Sequence, residues 1–175
     1  MYTSNDALFC VLHSSEYNLE SRRLIYYMYV YQLAGLDFKF RYRIDASGLI
    51  CKPLNDYLGA VVNSDKVIVN DGIISLTSEG RFYHDNIMLT ASEWDKVNYI
   101  RNVLDSMNEQ ELYFVCIVDM FVYDVLAKFG VEGLISQKNK IKKSISALSK
   151  AYTDDNFDSA LKFIRIVKGE IKNEF

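Results

Sequence analysis

The sequence has few of the residues that build a metal centre or a disulfide framework. It contains only two histidines, His13 and His84, and three cysteines, Cys10, Cys51 and Cys116. The cysteines are widely spaced and odd in number, and neither histidine has another ligand residue at the spacing of a zinc site. We therefore expect three buried, reduced thiols, and neither a metal nor a cofactor.

Proline and glycine are scarce as well, with one proline and eight glycines in 175 residues. A chain with so few residues that break helices is expected to be rich in helix and poor in linkers. Half of the residues are hydrophobic and 14% are aromatic, which is ample material for a core. We predict an α+β fold that is mostly α, built as one domain or as one domain with an appendage.

Long apolar runs are absent too. The most apolar stretch, residues 112–127, is interrupted by Asp119 and Asp124. It is shorter than the roughly 18–20 residues that a membrane-spanning helix needs, and two central carboxylates are costly in lipid. We interpret it as a buried core helix. Met1 is followed by polar residues rather than by a signal peptide, so we expect a cytoplasmic protein without membrane contact.

No motif typical of an enzyme is found in the sequence. There is no glycine-rich phosphate loop, no nucleophile elbow and no Ser-x-x-Lys arrangement that stands out. The net charge of −3 gives no overall attraction to nucleic acid. We therefore expect a protein that is not an enzyme and takes no small-molecule substrate.

Two helices and a tight turn predict the fold of the N-terminal half. The first helix, residues 19–34, follows a candidate cap at Asn18. The second begins near Pro53, because proline suits the first turn of a helix. Asn-Asp-Gly at residues 70–72 lies between two apolar runs, which is a strong hairpin signal. Two helices followed by a hairpin predict a winged-helix-like unit over residues 1–89.

Helix-capping signals dominate the C-terminal half. Residues 90–93 and 106–109 both have the pattern of a capping box. Gly130 interrupts the helical pattern, and Thr153 is a candidate cap for the last helix. We predict a helical unit of three or four helices over residues 90–175, packed on the first unit or continuous with it.

The sharpest charged feature is the run of residues 38–44, in which aromatic and basic residues alternate. A period of two is typical of a half-buried strand. Lys39, Arg41 and Arg43 would share its outward face. That face is either a solvated edge that discourages sheet-to-sheet pairing or a surface for phosphates or an acidic partner.

Direct reading of DNA is not favoured by the second helix. Only one of its predicted outward positions is basic. These positions are Lys52, Asn55, Asp56, Gly59, Ala60 and Asn63. A helix that reads base edges needs Arg, Lys, Asn or Gln there and no uncompensated acid. Further nucleic-acid contacts would have to come from a lysine run that is otherwise a solvated helix face: Lys138, Lys140, Lys142 and Lys143.

One stretch of the chain resembles a known family. Residues 19–27, Leu-Glu-Ser-Arg-Arg-Leu-Ile-Tyr-Tyr, are similar to the Leu-Asp-Leu-Gln-Arg-Leu-Val-Tyr-Tyr segment of the middle components of bacterial ABC-type three-component systems. Those components include the small third subunit of Lamassu-type anti-phage complexes. The resemblance implies a subunit without an active site that binds an SMC-like ATPase, its effector, or both.

The same region also resembles the Panacea-like antitoxin superfamily. Residues 23–27 are similar to its Leu-x-Lys-Leu-[Ile/Val]-Tyr opening, residues 38–44 to its Tyr-x-Phe-x-Tyr segment, and residues 76–80 to its Leu-Thr-x-x-Gly motif. The chain departs from that family in lacking the proline of a Gly-Pro turn and in having Arg23 in place of lysine. This resemblance implies a protein that neutralises a toxin.

From these patterns we expect a non-catalytic adaptor subunit of an anti-phage defence complex, which contacts DNA, if at all, through the complex. The alternatives are an antitoxin-like protein and a winged-helix DNA-binding regulator. The candidate partner-binding residues are Arg22, Arg23, Tyr27, Lys39, Arg41 and Arg43.

Overall fold

The fold is α+β and mostly α, as predicted, with 71% of the described residues in helices and a small antiparallel sheet. The computed structural model describes residues 8–12, 18–35, 40–45, 48–85, 87 and 89–170. None of the helices in these ranges is both long and apolar enough to cross a membrane. The chain divides into two compact units, Met1–Ser106 and Met107–Phe175, here called the first and the second unit.

The first unit contains all the strands described. Its elements are α1 (residues 8–12), β1 (Asn18–Glu20), α2 (Ser21–Leu33), β2 (Arg43–Asp45), β3 (Gly48–Ile50), α3 (Lys52–Val62), β4 (Val67–Asn70), β5 (Ile73–Leu76), α4 (Ser78–Asp85) and α5 (Ala91–Ser106). The second unit contains α6 (Glu109–Leu148) and α7 (Asp154–Val167).

Three strands form an antiparallel sheet in the order β1-β5-β4. Ile74 of β5 lies at its centre, opposite Leu19 of β1 and Val69 of β4. The hairpin predicted between β4 and β5 is confirmed. Asp71 and Gly72 at its tip have φ of 50° and 78°, the positive values that a two-residue hairpin turn needs at both central positions.

The predicted start of the first long helix is wrong. Residues 18–20 form strand β1, and α2 begins only at Ser21. Asn18 does not cap the helix, because it lies opposite Ser75, whose hydroxyl donates a hydrogen bond to its side-chain oxygen at 2.6 Å. The Ser21 amide instead donates to the Gly72 carbonyl at 2.7 Å, so the hairpin tip holds the start of α2.

Helix α2 is buried on most of its surface and is hydrogen-bonded to α5. The Tyr31 hydroxyl donates to the Val97 carbonyl at 3.0 Å, and Lys96 Nζ donates to the Ala34 carbonyl at 2.8 Å. These contacts make α5 part of the first unit. The two units therefore divide after Ser106, whereas the sequence placed the boundary between residues 89 and 90.

Caps set the helix starts of the second half. The box predicted at Thr90 and Glu93 is confirmed by two reciprocal hydrogen bonds. The second box involves Asn108 and Glu111 and thus begins two residues later than predicted. Thr153 caps α7 as predicted, accepting from the Asn156 amide at 3.0 Å.

Helix α6 is interrupted at Gly130, as the sequence predicted. Gly130 has φ 66° and ψ −168°, a conformation open almost only to glycine. Lys142 pairs with Asp154 at the start of α7, and Asp119 pairs with Lys168 just beyond its end. Asp154 and Lys168 are about 21 Å apart along the axis of α7. Their partners, residues 142 and 119, would be about 35 Å apart if α6 were a straight helix. A bend at Gly130 lets α7 contact both halves of α6.

Candidate interaction surface

The segment before β2 is held from its aromatic side. The backbone N–H and C=O of Phe40 both hydrogen-bond the side-chain amide of Gln32, at 3.0 and 3.1 Å. The Tyr42 ring packs edge-on against Tyr29 of α2, with ring centroids 4.9 Å apart. The Phe40 ring lies 5.9 Å from that of Tyr57 in α3. The aromatic residues of the alternating run therefore anchor it to two helices.

The basic residues lie on the opposite side. Arg41 and Arg43 are exposed, and neither forms an ion pair with any residue in the described ranges. Arg43 is paired with Ile50 across the β2–β3 hairpin. Arg41 precedes Arg43 by two residues, and Lys52, the exposed first residue of α3, follows Ile50 by two residues. We call Arg41, Arg43 and Lys52 the basic hairpin face.

The strand itself is shorter than predicted. The described strand covers Arg43–Asp45, and residues 40–42 of the predicted strand, 38–44, are not part of it. The reason is the start of α3, because the residues that would pair with 41 and 42 are already its cap and its first residue. The predicted alternation of exposure persists along residues 40–45 without a continuous ladder. Lys39 lies outside the described residues.

Tyr27 belongs to the interior, which corrects its assignment to the partner-binding surface, and Arg23 beside it is only partly exposed. Tyr27 is fully buried, and its hydroxyl donates to Asp105 at 2.5 Å. Arg23 donates to that hydroxyl at 3.2 Å and to the Leu104 carbonyl at 2.9 Å. Asp105 also accepts from Arg101 at 2.7 Å. The pKa of the Tyr27 phenol is raised, first by burial and then by the bond to Asp105.

Arg22 remains on the surface. Its side chain is 69% exposed and forms an ion pair with Glu20 at 2.9 Å. It stands at the start of α2, next to β1, rather than on the basic hairpin face.

The lysine run of α6 is only partly a free surface. Lys138, Lys140 and Lys143 are exposed. Lys142 is not, because it pairs with Asp154 at 2.6 Å and its ammonium group lies 5.4 Å from the centroid of the Phe157 ring. Lys142 thus holds α7 against α6.

The outward face of α3 is as predicted. All six positions that the sequence predicted to face outward are exposed, Asp56 among them. Asp71 occupies the exposed hairpin tip. Acidic groups at both places disfavour close contact with a phosphate backbone.

The cysteines are buried thiols, as expected. Burial raises the pKa of Cys51 and Cys116, and the charge of Asp119 adds to the rise at Cys116. Within the described ranges, no three His, Cys, Asp or Glu side chains converge to hold a metal ion. Comparisons of the chain with protein-family models, with curated proteins and with solved structures gave no match.

Proposed function

We propose that this protein is a non-catalytic binding subunit that attaches to an acidic surface of a larger protein through the basic hairpin face. One observation carries the proposal: Arg41 and Arg43 are exposed and without an ion-pair partner in the described ranges, on a segment whose inner side is fixed. The planar guanidinium fork of arginine binds carboxylates through two parallel hydrogen bonds. A fixed backbone keeps the two forks in register with a partner.

The class of partner follows from the sequence resemblance. Similarity of residues 19–27 to the middle components of ABC-type three-component systems supports an SMC-like ATPase or its effector as the partner. The protein would then be an adaptor in a bacterial anti-phage defence complex. A toxin is the partner if the antitoxin-like resemblance is the relevant one.

A winged-helix DNA-binding regulator is the second candidate, and the order of elements favours it. Helices α2 and α3 lie between β1 and β4 in the chain, and the three strands pair in the order β1-β5-β4. Asp56 and Asp71 count against it, because they place negative charge on α3 and on the hairpin tip. The acidic protein surface is therefore the stronger proposal.

Charge reversal of the arginines tests the proposal. Tagged full-length protein is expressed together with the genes that neighbour its own, and co-purified proteins are quantified by mass spectrometry. We expect the variant with Arg41→Glu and Arg43→Glu to lose most of its partner while keeping the wild-type circular dichroism, since exposed positions rarely affect stability.

The matched control reverses two exposed lysines of α6, Lys140→Glu and Lys143→Glu, and has the same net charge as the test variant. It should retain the partner. Full recovery of the partner by the arginine variant would contradict the proposal. Salt-sensitive binding of the wild type to duplex DNA, lost in the arginine variant, would favour the regulator instead.

A further inference from the structure

The middle of α6 has apolar side chains that the second unit does not cover. Within residues 123–140, all of which are described, no residue is buried. Phe129, Val131 and Ile135 are 56%, 67% and 73% exposed. These three large apolar side chains are exposed within seven consecutive residues, and an exposed apolar patch marks a site that binds another macromolecule.

This patch is continuous with the core of the unit on both sides. Before the break, buried Val118 and Val122 lead at helical spacing to half-buried Val125 and to Phe129. After the break, Leu134 is followed two turns later by the buried residues Ile141 and Ile145. The apolar stripe is thus buried at both ends and uncovered only around Gly130.

The uncovered residues are arranged symmetrically about Gly130. Residues of similar character stand at equal distances before and after it: Phe129 and Val131, Leu126 and Leu134, Val125 and Ile135. The charges are arranged so that opposite signs correspond, because Lys128 and Glu132 stand two positions on either side. Antiparallel alignment of this segment with a copy of itself would bring each apolar residue level with an apolar one along the pair, and Lys128 level with Glu132.

We propose that this patch, residues 125–135, is the contact by which two copies of the chain form a two-fold symmetric dimer. A two-fold interface requires a surface that is complementary to itself, and both the apolar residues and the charges meet this requirement. Glu132 is exposed and has no ion pair in the described ranges. Among the described residues Lys128 pairs only with Asp124 of its own helix, and both side chains are well exposed, so the contact can be exchanged.

The flanking charges also argue against a membrane as the occupant. A helix that lies on an anionic membrane has a polar face rich in lysine and arginine. Here an acidic residue, Glu132, lies between the exposed apolar residues Val131 and Ile135 and would be repelled by an anionic surface, although exposed lysines follow at Lys138, Lys140 and Lys143. The dimer involves the second unit alone and does not depend on the proposed binding through the basic hairpin face.

Sedimentation velocity of the untagged full-length chain over a concentration series tests the proposal. We expect the wild type to be dimeric. Lys128→Glu alone and Glu132→Lys alone should each weaken the dimer about tenfold or more, because either change sets like charges against each other at two symmetric contacts.

Mixing the two variants in equal amounts should restore the dimer. In a mixed dimer, positions 128 and 132 are both acidic in one chain and both basic in the other, so each of the two symmetric contacts again joins opposite charges. Circular dichroism of each variant checks that its helices are intact, and a change within a single chain has no way to produce rescue on mixing. A wild type that stays monomeric, or a dimer that neither charge reversal weakens, would overturn the proposal. So would a failure of the mixture to restore association.

Discussion

Removal of the Tyr27 hydroxyl tests the network that joins α2 to α5. The substitution Tyr27→Phe removes two hydrogen bonds of the hydroxyl, to Asp105 at 2.5 Å and from Arg23 at 3.2 Å. Hydrogen bonds to charged groups contribute about 1.5–3 kcal/mol each. The loss of unfolding free energy should be near the lower limit, because both partners retain other contacts. Asp105 still pairs with Arg101 and is 41% exposed to water, and Arg23 still donates to the Leu104 carbonyl. We expect a loss of about 1.5–2 kcal/mol.

Urea unfolding followed by tryptophan fluorescence measures this loss. Trp94 is the only tryptophan and lies in α5, so its emission reports on the first unit. The matched control is Tyr31→Phe, whose hydroxyl is also buried but donates to a neutral carbonyl of α5, Val97, at 3.0 Å. A neutral bond is worth about 1 kcal/mol. A loss in Tyr27→Phe no larger than in the control would refute the charged network.

The pH dependence of the same variant gives an independent check. The raised pKa of Tyr27 means that the folded state holds the phenol neutral, whereas the unfolded chain ionises it near pH 10. The stability that Tyr27 contributes is therefore complete below about pH 10 and falls above it, by about 1.4 kcal/mol per pH unit. The difference in unfolding free energy between wild type and Tyr27→Phe should shrink as the pH rises from 9 toward 11. A difference that stays constant over this range would contradict the assignment.

Two further changes, each with a comparison variant, test the second unit by chemical denaturation. Gly130→Ala should destabilise it by about 1–3 kcal/mol, because alanine strains at φ 66° and ψ −168°. Gly59→Ala, at an exposed position inside α3 with open space around it, should instead stabilise the first unit by about 0.5–1 kcal/mol. Lys168→Met should cost about 3 kcal/mol, because it leaves the carboxylate of Asp119 buried without its cation, and adding Asp119→Leu should recover much of that loss. Equal stability of the two glycine variants, or of Lys168→Met and the wild type, would contradict the assigned roles.

Features that depend on a few consecutive residues could be predicted from the sequence. The turn at Asp71-Gly72, the caps at Thr90 and Thr153 and the break at Gly130 are set by local backbone preferences, and all four are present. The local sequence at Asn18 equally favoured a helix cap, but pairing of residues 18–20 with β5 places Asn18 in a strand instead. Its strand partner lies 57 residues further along the chain, at a distance that sequence periodicity does not reveal.

The candidate site shows the same limit. The alternation of aromatic and basic residues correctly predicted that Arg41 and Arg43 are exposed, because the period-two pattern is local. It could not show that the start of α3 cuts the strand short. Tyr27 was taken for a surface residue because its partner, Asp105, belongs to a helix 78 residues away. The one usable signal was that α2 is apolar nearly all round, which indicates a helix buried on most sides.

The salt dependence of partner association tests the central proposal most directly. The association rate of the co-purified partner is measured at low and at high salt for the wild type and for the variant with Arg41→Glu and Arg43→Glu. If the basic hairpin face meets an acidic surface, the wild-type rate falls steeply with salt, and the variant associates more slowly with little or no such fall. Identical rates and identical salt dependence in the two proteins would contradict the proposal.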